Sequence, residues 1–172
     1  MANTRIDRDS MGELEVRADA LYGPQTQRAV NNFSVSGQKM PEEFIRSLLI
    51  AKAAAATANK SLNQITDETA NAICEATEIL LADKNLMQHF PVDVFQTGSG
   101  TSTNMNANEV IASIACKKSK LSISANDHVN YGQSSNDIIP STIHISAALA
   151  LEFKLLPALE HLVKVTRSKA KK

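Results

Sequence analysis

Apolar residues recur every three or four positions through most of the chain, the spacing that places side chains on one face of an α-helix. The pattern predicts a short helix from Pro24 to Phe33, a second from Pro41 to about Asn59, and a third from about Thr66 to Leu81. Residues 1–19 are polar without a regular period, and we expect them to be irregular. The sequence therefore predicts a mainly α-helical fold.

Two polar loops interrupt the second half of the chain, and each leads into a predicted helix. Residues 96–104 precede a helix from about Met105 to Cys116, and residues 125–137 precede a helix from Ile138 to Leu156. Pro157 is expected to kink or restart that last helix, because its ring removes a backbone donor and collides with the preceding turn.

The helix predicted from Ile138 onward is apolar on almost its whole circumference. Such a helix needs several neighbours, so we expect it to lie inside a helix bundle. A membrane span is the alternative, but polar and charged residues interrupt the apolar runs. These residues are Asp137, His144, Glu152 and Lys154. We therefore predict no membrane partner.

The charge of the chain is balanced, with 18 Lys and Arg against 18 Asp and Glu, which gives no electrostatic reason to expect nucleic acid as a partner. Cys74 and Cys116 are the only cysteines and have no CxxC spacing, so we predict neither a disulfide scaffold nor a metal site, and no cofactor. This cysteine usage fits the reducing cytoplasm. A mitochondrial-matrix location would require that a transit peptide has been removed, since residues 1–15 do not resemble one.

Both polar loops stand where a helix begins, and there the free backbone N–H groups and the positive end of the helix dipole attract anions. Hydroxyl and amide side chains add compact neutral donors to each loop. They are Ser99, Thr101, Ser102, Thr103 and Asn104 in the first loop, and Ser134, Ser135 and Asn136 in the second. Ser, Thr and Asn are also ordinary helix caps, but eight of them exceed what two helix starts need. Two such loops suit a dicarboxylate ligand.

Neither loop contains a lysine or an arginine, and the first lacks the Gly-Lys-Ser/Thr ending of a nucleotide-binding loop. Neutral groups alone hold a dianion weakly unless a cation joins them from elsewhere. The four histidines are scattered and supply no evident general acid or base. We therefore predict a substrate-binding site and assign no catalytic residue within this chain.

At these loops the sequence resembles the class II fumarases of the fumarase/aspartase superfamily. The matching segments are Gly98-Ser-Gly-Thr-Ser-Thr-Asn-Met-Asn-Ala-Asn-Glu-Val110 and Gln133-Ser-Ser-Asn-Asp137, and the resemblance runs from Arg8-Asp-Ser-Met-Gly12 through Tyr22-Gly-Pro-Gln-Thr26 over essentially the whole chain. It implies an amino-terminal helical domain over residues 1–137, followed by the start of the long central helix bundle over residues 138–172. In this family, bundle helices come from the same chain and from other subunits of a homotetramer.

The resemblance also implies roles for individual residues. The primary substrate-binding residues would be Ser99, Gly100, Thr101, Ser134, Ser135 and Asn136. A second dicarboxylate site would comprise Ser124, Ala125, Asn126 and Asp127, weakened because a His-Pro pair commonly stands in place of the first two. The family's catalytic serine, its catalytic histidine and a lysine of the serine loop all lie beyond Lys172, so the chain alone is expected to be inactive.

The implied activity is that of a lyase of the tricarboxylic acid cycle, which hydrates fumarate reversibly to L-malate through removal of a C3 proton and an aci-carboxylate intermediate. One alternative is aspartate ammonia-lyase of the same superfamily; Ser135 and the Gly-Ser-Gly start at Gly98 favour the hydratase. The other alternative is a non-catalytic helical fragment that binds anions or partner helices.

Overall fold

The computed structural model describes residues 3–9 and 11–171. Met1, Ala2 and Lys172, which fall in the predicted domain ranges, and Ser10, which belongs to the motif beginning at Arg8, lie outside the described residues. The described part contains two strands followed by six α-helices, so the mainly α-helical fold is confirmed. The elements are β1 Thr4–Asp9, β2 Gly12–Arg17, α1 Pro24–Asn32, α2 Glu42–Ser61, α3 Asp67–Ala82, α4 Thr101–Ser119, α5 Ser135–Ala150 and α6 Leu156–Ala170.

The two strands form an antiparallel hairpin in which Thr4 pairs with Arg17 and Asp9 with Gly12. The expectation of irregular structure is therefore wrong for this segment. A signal for β2 was present, because Leu14 and Val16 alternate with polar residues and Val16 is fully buried. Polar contacts also hold the hairpin: the Arg5 guanidinium donates hydrogen bonds to the carbonyl oxygens of Arg17 and Tyr22, both at 2.8 Å. A side chain that satisfies distant backbone carbonyls leaves no short-range signal in the sequence.

The core lies between α2, α3 and α4, which carry the residues of the predicted apolar stripes. Fully buried side chains include Ile45, Leu48 and Leu49 of α2, Ile73 and Leu80 of α3, and Val110 and Ile111 of α4. The predicted start of α3 is confirmed, since Thr66 caps it by accepting the Thr69 N–H at 3.2 Å. Three mutually packed helices thus form the platform on which both polar loops stand.

Two helix starts lie earlier than the sequence predicts. Helix α4 begins at Thr101 rather than Met105, and α5 begins at Ser135 rather than Ile138. In both cases the first helical turn is built from polar residues, which carry no apolar period even where they are buried, as Thr103 and Asn104 are in α4. The candidate ligand residues consequently lie in the first turns of two helices or directly before them.

Helix α5 continues through residues 151–155 into α6, giving a helical segment of 36 residues, about 54 Å long. Pro157 is accommodated by a wide turn: the Leu156 N–H donates to the Leu151 carbonyl, five residues back, which shifts the hydrogen-bond ladder before the proline. The predicted disturbance of the helix at Pro157 is confirmed, and it takes the form of one widened turn over residues 151–155.

Most of the long helix is exposed within this chain, whereas its apolar side chains predict that it is buried on most sides. Phe153, for example, is 72% exposed and Leu162 59% exposed. By length and composition alone the segment Ser135–Ala170 could also cross a membrane, with 6% of the relevant window buried. Its apolar surface therefore has room for partners that this chain does not supply.

Candidate functional site

The start of α4 is capped from upstream rather than by its own first residues. The Gln96 Oε1 accepts the Thr103 N–H at 2.8 Å, and the Thr97 Oγ1 accepts the Ser102 N–H at 3.1 Å. Gly100 stands at the cap position with φ of 69°, a left-handed conformation that glycine adopts without steric cost. Capping at this helix thus falls to the residues before the glycine.

The hydroxyls of Ser99 and Thr101 are left free of that capping role and lie 3.0 Å apart, hydrogen-bonded to each other on either side of Gly100. Both residues are half-buried. A Cβ atom on Gly100 would lie 3.1 Å from the Ile139 Cγ2 of α5, so the absence of a side chain allows the two helix starts to pack closely. The tertiary structure thus brings the first polar loop against the second.

At the start of α5, Ser134 acts as the cap and accepts the Asn136 N–H at 3.2 Å. The Ser135 Oγ accepts a hydrogen bond of 3.0 Å from the Asn104 Nδ2 of α4, which ties the two helix starts together. The capping interpretation therefore holds for Ser134, while Ser135 belongs to a bridge between helices. Asn136 is exposed beside them.

The six predicted primary residues accordingly gather at two adjacent helix N-termini. Their side chains are neutral hydroxyls and one amide, and both helix dipoles present their positive ends to the same region. Such an arrangement can receive the oxygens of an anion through hydrogen bonds from hydroxyl, amide and backbone N–H groups. None of the six residues carries a carboxylate, imidazole or amine group, so these residues can bind and orient an anion.

Sequence reasoning missed Lys52, a cation bound to the residue that precedes Ser134. Its side chain is fully buried in α2, and its Nζ donates to the Gln133 Oε1 at 2.7 Å and to the Asn130 Oδ1 at 3.0 Å. Burial lowers the pKa of Lys52 from its ordinary value to about 7. Lys52 contacts side-chain amides and none of the six predicted residues, so a cation supplied from beyond Lys172 stays a prediction.

A signal for Lys52 was present in the α2 pattern. Ile45, Leu48, Leu49 and Ala56 form its buried stripe, and Lys52 occupies the next position of the same stripe. A lysine on a buried helix face is rare unless it has polar partners. The partners themselves, Asn130 and Gln133, are about 80 residues away in sequence and could not be paired with it by spacing.

The residues of the expected second site form one wide helical turn, from Ala125 to Val129, that is stabilised by its own side chains. The Ser124 Oγ donates to the Asp127 Oδ2 at 2.7 Å and accepts the Asp127 N–H at 3.1 Å, while the Ser124 N–H donates to the His128 Nδ1 at 2.9 Å. These contacts engage the polar atoms of Ser124 and Asp127 in local structure.

Asn126 projects from this turn, exposed, toward a cavity of about 350 Å³. The cavity also touches Thr97, Thr101 and Arg28, and the Arg28 guanidinium is bound to both oxygens of Asp9 at 3.0 and 3.1 Å. Over residues 3–9 and 11–171, no cluster of three or more His, Cys, Asp or Glu side chains is arranged to hold a metal ion.

Comparison with known proteins adds three findings. The profile of a family described as "Lyase" matches residues 12–172. The chain is 64% identical over 170 residues to fumarate hydratase class II 2 of Pseudomonas aeruginosa and 53% identical over 167 residues to fumarate hydratase class II of Xylella fastidiosa. A crystal structure of class II fumarase from Schistosoma mansoni superimposes with a TM-score of 0.92 at 38% identity.

These matches cover nearly all of the chain but a minor part of each relative. The Pseudomonas and Xylella proteins match 99% and 97% of the chain, and the chain covers 37% and 35% of their lengths. The Schistosoma structure matches 97% of the chain, which covers 36% of that structure. The chain thus spans little more than a third of the length of the relatives that it resembles.

Proposed function

The chain belongs to the lyase family whose profile matches it, and on that premise we propose that it is the substrate-binding, amino-terminal third of a fumarate hydratase. The observation that carries the proposal is the 64% identity to a fumarate hydratase over 99% of the chain. The substrate would be a small dicarboxylate, fumarate or L-malate, hydrated and dehydrated reversibly. The hydratase is favoured over aspartate ammonia-lyase because the curated relatives named above are fumarate hydratases.

The paired helix N-termini support a role in holding substrate carboxylates. We assign this role to Ser99, Gly100, Thr101, Ser134, Ser135 and Asn136. Fixed neutral donors fit a carboxylate whose charge increases as the aci-carboxylate forms, because they stabilise developing charge without reorganising. The proton acceptor and a further cation would be supplied by the portion of the relatives that follows the matched region.

The segment Ser124–Asp127 is retained as a weaker second dicarboxylate site in this proposal. Its support is the exposed Asn126 at the edge of a cavity, and its weakness follows from the mutual hydrogen bonds of Ser124 and Asp127. A ligand there would have to compete with those local bonds. Binding at this position should therefore be weaker than at the primary site.

Residues 138–172 would begin the central bundle of a homotetramer, with residues 1–137 forming the amino-terminal domain. The exposed apolar surface of α5 and α6 supports this assignment, since helices of other subunits would bury it. A cytoplasmic location completes the proposal. Cys74 and Cys116 are both free thiols, as is usual in a reducing compartment.

The proposal can be tested with a chimera in which this chain replaces the matching 170 residues of the Pseudomonas aeruginosa relative. Loss of fumarate absorbance is followed for the chimera, for this chain alone, and for this chain mixed with the remaining carboxy-terminal portion. We expect hydration by the chimera and none by the chain alone. A folded chimera that deaminates aspartate but leaves fumarate unchanged would contradict the proposal.

Individual site residues are tested in the same chimera. Ser135→Ala should raise KM for fumarate, because it removes a hydroxyl from the paired helix starts. Ser141→Ala is the matched control: it makes the same change at an exposed position of the same helix. Equal KM values for the two variants would remove Ser135 from the proposed site.

A further inference from the structure

Lys52 is a fully buried lysine that is bound by amides rather than by a carboxylate. Its Nζ lies 2.7 Å from the Gln133 Oε1 and 3.0 Å from the Asn130 Oδ1, and it takes part in no ion pair within residues 3–9 and 11–171. Burial of an ammonium group without a counter-charge is unfavourable. A packing role alone would be filled at lower cost by leucine or methionine.

Asn130 collects donors from two helices on one oxygen. Its Oδ1 accepts from Lys52 of α2 and also from the Nδ2 atoms of Asn104 and Asn108 of α4, at 3.2 and 3.1 Å. An amide oxygen has two lone pairs, so three donors aimed at it form a crowded and well-defined contact. The amide of Asn130 in turn donates to the Gln133 carbonyl at 3.1 Å.

Gln133 is held in place by three hydrogen bonds. Its side-chain oxygen accepts from Lys52, its carbonyl accepts from Asn130, and its Nε2 donates to the Val129 carbonyl at 2.9 Å. The next residue is Ser134, the cap of α5. The residue before the cap of α5 is therefore held by a polar cluster that contains Lys52 and Asn130.

The same cluster reaches the proposed ligand groups by a second route. Asn104, which donates to Asn130, also donates to the Ser135 Oγ at 3.0 Å. Lys52 is thus connected to Ser135 by three hydrogen bonds, through Asn130 and Asn104. It is connected to Ser134 by one hydrogen bond to Gln133 and the peptide unit that follows. Binding groups must be held to within a fraction of an ångström to act together.

We propose that Lys52 is a positioning residue for the proposed substrate-binding residues Ser134–Asn136, acting through Asn130 and Gln133 rather than by touching substrate. This inference rests on the proposed function. The lysine is retained in the core because its three N–H donors hold two acceptors that belong to one loop. A neutral hydrocarbon would leave both acceptors without that donor.

The test uses Lys52→Met in the chimeric enzyme, because methionine keeps most of the aliphatic stem and removes the ammonium donors. KM for fumarate should rise about tenfold, as expected for loss of hydrogen bonds to a charged group, while kcat changes less than about threefold. Lys60→Met is the control. Lys60 is on the same helix but partly exposed, bound to Asn71 and Asp67.

A purely structural role for Lys52 predicts a different result. It would lower the melting temperature and the active fraction, so apparent kcat would fall while KM remained that of the unmodified chimera. Gln133→Met removes the contact from the other side and should also raise KM, which keeps the test decisive if Lys52→Met does not fold. Unchanged KM in a folded variant at either position would overturn the inference.

Hydrogen exchange separates this inference from the proposed function. In this chain, Lys52→Met should speed amide exchange over residues 134–138 more than Lys60→Met does. If Lys52→Met speeds exchange but the unmodified chimera does not hydrate fumarate, the proposed function is refuted, and with it the substrate role of residues 134–136. If the chimera is active but Lys52→Met does not speed exchange at residues 134–138, only the positioning role of Lys52 is refuted.

Discussion

The Thr26 hydroxyl donates a hydrogen bond of 2.6 Å to the Glu109 Oε2, joining the start of α1 to the middle of α4. The same carboxylate accepts the backbone N–H groups of Gly23, Gln25 and Thr26 at 2.9 to 3.1 Å. A buried anion at a helix N-terminus satisfies donors that would otherwise be unpaired. Glu109 is thus the cap of a helix more than 80 residues away in sequence.

We predict that Glu109→Gln lowers the free energy of unfolding by about 2 kcal/mol, because the amide replaces an acceptor with a donor that faces N–H groups. Urea denaturation of the two proteins measures the change. Glu78→Gln, at an exposed position of α3, is the control and should shift the midpoint little. Equal destabilisation by both variants would contradict the capping role.

Asp93 anchors the segment that leads into the first polar loop. Burial pushes its pKa upward, but hydrogen bonds from the Phe95 N–H and from the hydroxyl and N–H of Ser36, together with the Gly37 N–H, outweigh burial and lower the pKa to about 2. The carboxylate contacts all lie at 2.7 or 2.8 Å. The folded state therefore favours the ionised form of Asp93.

Because the folded pKa lies below the ordinary value of 3.8, the contribution of Asp93 to stability is present above that value and is lost as pH falls toward about 2. Asp93→Asn should therefore be less stable than the unmodified chain at neutral pH, and the difference should shrink between about pH 4 and pH 2. Chemical denaturation at several pH values measures it. A difference independent of pH would show that the charge of Asp93 is not what stabilises the segment.

Gly100 and Gly37 offer a matched pair of substitutions. Both have positive φ, 69° and 71°, but a Cβ at Gly100 would meet Ile139 at 3.1 Å whereas one at Gly37 would meet nothing within 4 Å. Gly37→Ala should cost about 1 kcal/mol from backbone strain. Gly100→Ala should cost about 1–3 kcal/mol more from overpacking, measured by urea denaturation. Equal losses would show that the helix starts are not closely packed.

The exposed apolar surface of α6 predicts association. Leu159 and Leu162 are 46% and 59% exposed, and burying such surface against another helix is favourable. Sedimentation velocity of this chain should show oligomers that increase with concentration, and Leu159→Glu should weaken them. Lys169→Glu, a charge change on the same helix, is the control. A monomer at every concentration would contradict the prediction.

Sequence patterns located the helices wherever apolar residues repeat, as in α2 and α3, because burial of one face imposes a period of 3.6. They located the polar helix starts through their unusual density of hydroxyl and amide groups. The irregular structure expected for residues 1–19 overlooked one signal, the alternation of Leu14 and Val16 with polar residues in β2. The contacts of Arg5 with distant backbone carbonyls carry no period and could not be predicted.

The sequence by itself determined the helical class, the presence of two polar segments that lead into helices and, through residues 98–110 and 133–137, the family resemblance. The tertiary structure alone decided that those helix starts lie side by side, that Gly100 permits their contact with Ile139, and that Lys52 is bound to Asn130 and Gln133. The physical reason is the distance along the sequence over which each interaction acts. Helix period and capping act within a few residues, whereas a buried charge finds its partners only once distant helices have packed.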